Sequence, residues 1–170
     1  MRPDEVVGSA RVVDASGFGF PDSRLVDVRG TLAEVGRLSW FNVFLGRGML
    51  VVLPNGTRWR VGAAARSRWV CPVVVDERGG AVARCGPGDA NYGISTREHA
   101  YSLNPATGGS RRAQRWTLHE YESEVAVFER QPFTVMAAEP VALGVVVLAR
   151  VLCAFGVLGE RDLMPRMQPQ

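Results

Sequence analysis

AEPVALGVVVLARVLCAFGVLG, residues 138–159, contains a run that Pro140 opens and that is apolar on every face of a helix, interrupted only by Arg150. A helix without a polar stripe must be surrounded, either by protein or by lipid. The residues before it read as short strands separated by turn signals. The simplest arrangement is therefore a sheet that curls around the helix.

About a dozen short stretches before this segment have the patterning of strands. In RWTLHEY, for example, Trp116 and Leu118 point to one side, while Thr117 and His119 point to the other. Many short strands at close spacing are typical of an all-β sandwich or barrel. The sequence predicts a mainly β fold, an antiparallel meander barrel of about 12 strands that encloses a C-terminal hydrophobic α-helix.

A single domain accounts for all 170 residues. We expect the barrel over residues 8–137, the buried helix over residues 139–158 and a polar tail over residues 160–170. The N-terminus lacks a basic start followed by an apolar core, so no signal peptide is expected. The predicted location is the cytoplasm, including its membrane surface.

The clearest hairpin signal is Asn55-Gly56. This pair supplies two residues that tolerate a positive φ, which a two-residue type I′ turn requires. It predicts such a turn between strands at residues 49–53 and 57–61.

The next hairpin contains the tripeptide ERG at residues 77–79. It predicts a three-residue loop with Gly79 in the left-handed region. Counting back from that loop places Cys71 opposite Cys85 on the paired strands.

Residues 140–159 also have the length of a membrane span, since a bilayer needs about twenty apolar residues. Arg150 argues against a span, because an arginine at mid-helix costs roughly 2.5–3.5 kcal/mol on insertion scales. Inside a barrel we expect Arg150 to pair with a carboxylate or with backbone carbonyls at the barrel mouth. A membrane-anchored protein that uses residues 140–159 is the alternative.

The basic residues are unusual in kind, because all twenty are arginine and lysine is absent. Ile94 is the only isoleucine, and both features are typical of a high-GC bacterial genome. The net charge is only +3, and arginines alternate with acidic residues along most of the chain. Nucleic-acid-binding proteins concentrate their positive charge, so nucleic acid is not an expected partner.

Two segments carry a resemblance to a known family. VVVDERGGAVARC (residues 73–85) is similar to the strand, D-x-x-G turn and strand units of LURP-one-related proteins. AEPVALGVVVLARVL (residues 138–152) is similar to their buried helix. Over residues 8–158 the chain thus resembles the tubby-like C-terminal superfamily, which also includes phospholipid scramblases and whose barrel closes around its terminal helix.

This resemblance implies a binding or scaffold module. Eukaryotic tubby domains bind phosphoinositides through basic residues on the barrel surface. Scramblase activity and calcium regulation are not implied, because this chain has no EF-hand-like loop and no cysteine-rich segment.

Arginine clusters supply the candidate site. Arg58 and Arg60 share one face of a predicted strand, with Trp59 on the other. A guanidinium can hold a phosphate group through two parallel N–H donors, so anionic lipid headgroups are the first expected ligand class. The alternative is that these arginines only form a solvated outer face of the barrel and bind no ligand. The predicted set is Arg58, Arg60, Arg66, Arg68, Arg111, Arg112 and Arg115.

Catalytic and metal-binding motifs are absent from the sequence. It contains no G-x-S-x-G, no glycine-rich phosphate loop and no H-E-x-x-H. Its three cysteines form no C-x-x-C pair, so neither a metal nor another cofactor is expected. His99 and His119 each adjoin a glutamate, but adjacent residues on a strand point to opposite faces.

The sequence therefore predicts a non-enzymatic binding or scaffold module of tubby-like type that recognises anionic lipid headgroups through surface arginines. Its expected partner is an anionic membrane surface or a protein. An enzyme whose site follows no motif is a further alternative. A polar cleft that holds His99 or His119 among clustered carboxylates would favour that enzyme.

Overall fold

The computed structural model describes residues 4–15, 17, 19–45, 48–66, 69–87, 91–106, 113–156 and 158–159, with the backbone alone at residues 65, 66, 87, 158 and 159. Twelve antiparallel strands form a closed barrel in this part of the chain. They are β1 (Glu5–Asp14), β2 (Ser23–Asp27), β3 (Gly30–Val35), β4 (Met49–Val52), β5 (Arg58–Arg66), β6 (Trp69–Asp76), β7 (Ala81–Pro87), β8 (Tyr92–Ser95), β9 (Ala100–Pro105), β10 (Arg115–Glu120), β11 (Ser123–Glu129) and β12 (Thr134–Ala142). The helices are α1 (Trp40–Phe44) and α2 (Leu143–Phe155), and a two-residue strand β13 (Leu158–Gly159) adds to β6.

The strand order is that of a meander. Each strand pairs with its neighbours in the chain, and the pairing of β1 with β12 closes the ring. The mainly β class, the closed antiparallel barrel and the C-terminal helix packed against its strands are confirmed.

Helix α2 fills the barrel. Ten of its thirteen residues are buried, including all seven from Leu143 to Ala149, which cover every face of the helix. It contacts β1, β6, β7, β8 and β12. The approach is close at Gly144, where a Cβ atom would lie 2.6 Å from the Cγ1 atom of Val82. The helix thus occupies the space that a ligand would take in an empty barrel.

The helix is shorter than the predicted range of 139–158. Strand β12 runs on to Ala142, because Val141 and Ala142 pair with Val6 and Glu5 of β1. Pro140 lies in the register shift between these pairs and those further along the strand, and such irregularities accept a residue that cannot donate a ladder hydrogen bond. The barrel accordingly extends beyond the predicted 8–137 at both ends, and residues 160–170 lie outside the described residues. No helix in the described ranges has the length and apolarity needed to cross a membrane.

The Asn55-Gly56 turn differs from the prediction. Leu53 N donates to Thr57 O at 2.8 Å, and Gly56 N donates to Leu53 O at 2.9 Å, so three residues form the loop. Gly56 has a φ of 85°, whereas Asn55 is not among the positive-φ residues. The predicted type I′ turn is wrong because Pro54 fixes its own φ near −65° and so favours a type I turn.

The 77–79 loop is confirmed, but the cysteine register is wrong. Asp76 N donates to Gly80 O at 2.8 Å, and Gly79 has a φ of 78°. The register then shifts by one residue between Val74 and Val75, because β7 contains a bulge. Beyond the bulge Val74 pairs with Ala83 and Val73 with Arg84, a register one residue away from the one that would place Cys71 opposite Cys85. On their other neighbouring strands, Cys85 pairs with Ile94 and Cys71 with Ala64.

Helix α1 follows β3 after the connection formed by residues 36–39. Ser39 caps it, accepting a hydrogen bond from Asn42 N at 3.2 Å. Val43 is buried, and the ring of Phe44 lies 6.5 Å from that of Phe155 at the end of α2. Helix α1 therefore covers the barrel mouth at which α2 terminates.

Arg150 has a partner, although not the predicted one. Its Nη1 atom donates to the hydroxyl of Ser23 at 3.2 Å, and Ser23 is only 1% exposed. Loss of hydration lowers the pKa of Arg150, while the nearby carboxylates of Asp22 and Asp14 oppose that shift. A hydroxyl takes the place of the predicted carboxylate or carbonyl because β2 begins at this mouth with a serine, and the acidic side chains remain exposed to water.

We expect Arg150→Met to lower the free energy of unfolding by about 1–3 kcal/mol, because the buried Ser23 hydroxyl would lose its partner while the apolar stem is kept. Urea denaturation measures the change. The double variant Arg150→Met/Ser23→Ala should recover most of the loss. A single variant more stable than the wild type would contradict the pairing.

Candidate functional site

The meander gives the barrel two different ends. At one end α2 begins, and Leu143 N donates to Asp4 O at 2.7 Å. The turns from even-numbered to odd-numbered strands lie here. At the other end α2 terminates against α1, and the connections from odd-numbered to even-numbered strands lie here. We call the first the acidic end and the second the aromatic end, for the residues described next.

Carboxylates outnumber arginines at the acidic end. Within the described residues its acids are Asp4, Glu5, Asp27, Asp76, Glu77, Glu98, Glu120, Glu122 and Glu139, and its arginines are Arg29, Arg58, Arg78 and Arg97. The balance is reversed at the aromatic end. The arginines there whose side chains are described are Arg37, Arg115, Arg130 and Arg150, and the acids are Asp14, Asp22 and Glu129.

The aromatic end also exposes large apolar side chains. Phe41 and Leu45, which are four residues apart in and after α1, are 66% and 57% exposed, and Phe20 on the β1–β2 connection is 46% exposed. Exposed phenylalanine next to arginine is a frequent feature of surfaces that bind membranes or proteins. The sequence does not predict the exposure of these residues, because the mostly apolar stretch of residues 40–45 resembles a core segment.

The structure does not bring the predicted arginines into one cluster. Arg68, Arg111 and Arg112 lie outside the described residues. Arg58 is exposed at the acidic end, whereas Arg66 ends β5 and Arg115 begins β10, both at the aromatic end. Strands β5 and β10 lie on well-separated sides of the barrel, with four other strands between them by the shorter route.

Arg60 connects the arginine set to α1. Its stem lies against Gly48, where a Cβ atom would be 2.4 Å from the Arg60 Cγ atom. Gly48 N in turn donates to Asn42 O of α1 at 2.6 Å. An exposed guanidinium and the exposed apolar residues of α1 therefore share one region of the surface.

A cavity of about 370 Å³ opens at the acidic end. It lies among the start of β1, the end of β12 and the turns that follow β6 and β8. Its charged and aromatic lining residues are Asp4, Glu5, Asp76, Arg97, Glu98, His99 and Tyr101. We call it the end pocket.

The two histidines lie on different faces, and they do not form a pair. His99 lines the end pocket, and its Nδ1 atom lies 2.7 Å from Glu120 Oε1. His119 Nε2 lies 3.1 Å from Thr117 Oγ1, on the face opposite to the buried Leu118. The contact between His99 and Glu120 joins residues 21 positions apart and depends on the pairing of β9 with β10, so no local pattern in the sequence predicted it.

Tyr101 forms the inner wall of the end pocket. Its side chain is 7% exposed, and its ring stacks on that of His99 with centroids 5.9 Å apart. Burial raises the pKa of Tyr101 to about 12, and the carboxylates of Glu120, Glu5 and Glu139 contribute to the rise. The pocket therefore has a negative potential and keeps this phenol protonated.

The cysteines show no metal-binding arrangement. Cys71, Cys85 and Cys153 are buried, and burial raises the pKa of Cys153 well above its usual value. Across the described residues, no group of three or more His, Cys, Asp or Glu side chains is placed to hold a metal ion.

Comparison with known proteins finds no matching family model, no matching curated protein and no matching solved structure. The resemblance to the tubby-like superfamily stays a prediction.

We expect the phenol of Tyr101 to ionise near pH 12, above its usual value of 10.0. Because the unfolded chain would release this proton first, the protonated phenol stabilises the fold below pH 10 and loses that contribution as the pH approaches 12. Ultraviolet difference titration of the wild type against Tyr101→Phe isolates this group. If the phenol of Tyr101 in the wild type ionised near pH 10, its surroundings would not raise its pKa.

Proposed function

We propose that this chain is a non-enzymatic binding module of tubby-like type that attaches to anionic membrane surfaces in the cytoplasm through the aromatic end. The observation that carries the proposal is the placement of exposed Phe41 and Leu45 beside arginines, at the end of the barrel opposite to most of its carboxylates.

The filled interior supports a surface site. Because α2 occupies the barrel, a ligand has to bind at an end or on the outer wall. A binding site for a lipid headgroup suits this constraint, since a headgroup lies at a membrane surface and needs no enclosing cavity.

The charge distribution favours an orientation in which the aromatic end faces the membrane. Each arginine close to an anionic leaflet contributes about 1 kcal/mol, and burial of a phenylalanine or leucine side chain contributes about 1.5–3 kcal/mol. Arg37, Arg60 and Arg115 lie beside or on the same end as Phe41 and Leu45. The acidic end would face away from the membrane, where repulsion from the lipid headgroups is weakest.

We expect the protein to sediment with vesicles of phosphatidylcholine and phosphatidylglycerol, but not with vesicles of phosphatidylcholine alone. Binding should weaken as salt rises, because headgroup attraction is screened. Phe41→Ser/Leu45→Ser should reduce binding about a hundredfold or more, and Arg37→Ser/Arg115→Ser about 30-fold.

Two matched controls test the orientation. Val28→Ser removes an exposed apolar side chain at the acidic end, and Arg58→Ser/Arg78→Ser removes two exposed guanidinium groups there. Both variants should bind vesicles like the wild type. Equal losses in the controls and the test variants would refute a membrane-binding aromatic end, and equal binding to both kinds of vesicle would refute anion recognition.

A catalytic role for the end pocket is the second candidate. The observation in its favour is that Glu120 holds Nδ1 of His99 at 2.7 Å in a cavity with other carboxylates. A carboxylate in this position orients an imidazole so that its other nitrogen can accept a proton.

An enzyme of this kind should hydrolyse members of a panel of nitrophenyl esters and phosphoesters, and His99→Gln should abolish the turnover. His119→Gln is the matched control, because it removes the other histidine from the outer face. Absence of turnover, or equal turnover in His99→Gln, would exclude His99 as a base for these reactions.

A further inference from the structure

The inner wall of the end pocket carries the hydroxyl group of Tyr101. Tyr101 is more than nine-tenths buried, it lines the pocket, and its hydroxyl has no hydrogen-bond partner within the described part of the chain. In that same part, every side-chain nitrogen or oxygen that solvent cannot reach has a hydrogen-bond partner. An oxygen without a partner must therefore be accessible to solvent. The phenol oxygen is therefore reached from the cavity itself.

The charged residues of the pocket determine whether it favours an anionic or a cationic ligand. Among the described residues, four carboxylates, those of Asp4, Glu5, Asp76 and Glu98, line it together with one guanidinium. Glu120 and Glu139 add to the negative field at Tyr101. An anion placed here would be repelled, whereas a cation would be attracted from solution.

The arrangement of the carboxylates favours an organic cation over a metal ion. Calcium needs six to eight oxygen ligands around one point, and among the described residues no such convergence of acidic side chains exists. An ammonium or guanidinium group carries its charge on several N–H donors, which can be satisfied by acceptors on different walls. The cavity volume of about 370 Å³ lies near the lower limit of the range that is usual for small-molecule binding sites.

The aromatic wall adds a hydrogen-bond acceptor. The ring of Tyr101 stacks on that of His99 at an angle of 27°, which fixes the position of the phenol oxygen. The phenol oxygen can accept a hydrogen bond from an N–H donor without losing its own proton.

We propose that the end pocket binds an organic cation of the alkylammonium class, with Tyr101 as hydrogen-bond acceptor at its inner wall and Glu98 among the carboxylates that neutralise the charge. The cation could come from a free amine or from a lysine side chain. This site is independent of membrane attachment, because it lies at the opposite end of the barrel.

Isothermal titration with cadaverine tests the proposal, with 1,5-pentanediol as the uncharged ligand of the same chain length. We expect cadaverine to bind and pentanediol not to bind. N-acetyl-lysine amide distinguishes the source of the cation: tighter binding than that of cadaverine indicates a polypeptide side chain, and weaker binding indicates a free amine.

Tyr101→Phe removes only the hydroxyl and should weaken cadaverine about tenfold. Glu98→Gln changes an exposed side chain and should weaken it several-fold. Glu124→Gln is the matched control, because it makes the same change of charge on an exposed residue that does not line the pocket, and it should leave binding unchanged.

Three results would overturn the proposal: no binding of either amine, equal binding of cadaverine to Glu98→Gln and the wild type, or calcium chloride binding more tightly than cadaverine at the same site. Vesicle sedimentation of Tyr101→Phe should match the wild type. A failure of amine binding is therefore distinguishable from a failure of membrane attachment.

Discussion

The burial of α2 is the constraint on which the rest of the structure depends. A helix that is apolar on all its faces can exist in water only if protein encloses it, and strands β1, β6, β7, β8 and β12 pack against α2. Closure of the sheet serves the same purpose, because a closed sheet leaves no edge at which water could reach the helix. Gly144 shows how tight the enclosure is, since even a methyl group there would overlap with Val82.

Closure around a helix also determines where chemistry can occur. In an empty barrel, inward-facing side chains could surround a ligand, but here they pack against α2. Within the described residues, the side-chain hydrogen bond to the helix lies near an end, where Arg150 donates to Ser23 and lies close to the carboxylates of Asp22 and Asp14. The two ends and the outer wall are thus the surfaces that remain for recognition.

The meander topology makes these two ends chemically different. Alternate connections come to the same end, so residues far apart in the chain accumulate there. One end collects exposed phenylalanine and arginine, and the other collects carboxylates around Tyr101. The proposed membrane surface and the proposed amine pocket would then act without interfering: a protein attached to a membrane by its aromatic end would present its acidic pocket to the solution.

Much of the fold follows from the sequence by itself. The alternation at Trp116 and Leu118, the left-handed Gly79 and the uniformly apolar run around Leu148 are local patterns, and local periodicity is sufficient to predict strands, loops and burial. The arrangement of side chains across strands was decided only by the tertiary structure. One extra residue in β7 shifts Cys85 away from Cys71, and a pairing over 127 residues brings Ser23 to Arg150. The end pocket likewise depends on strand register and barrel closure, which are long-range properties that no short stretch of sequence encodes.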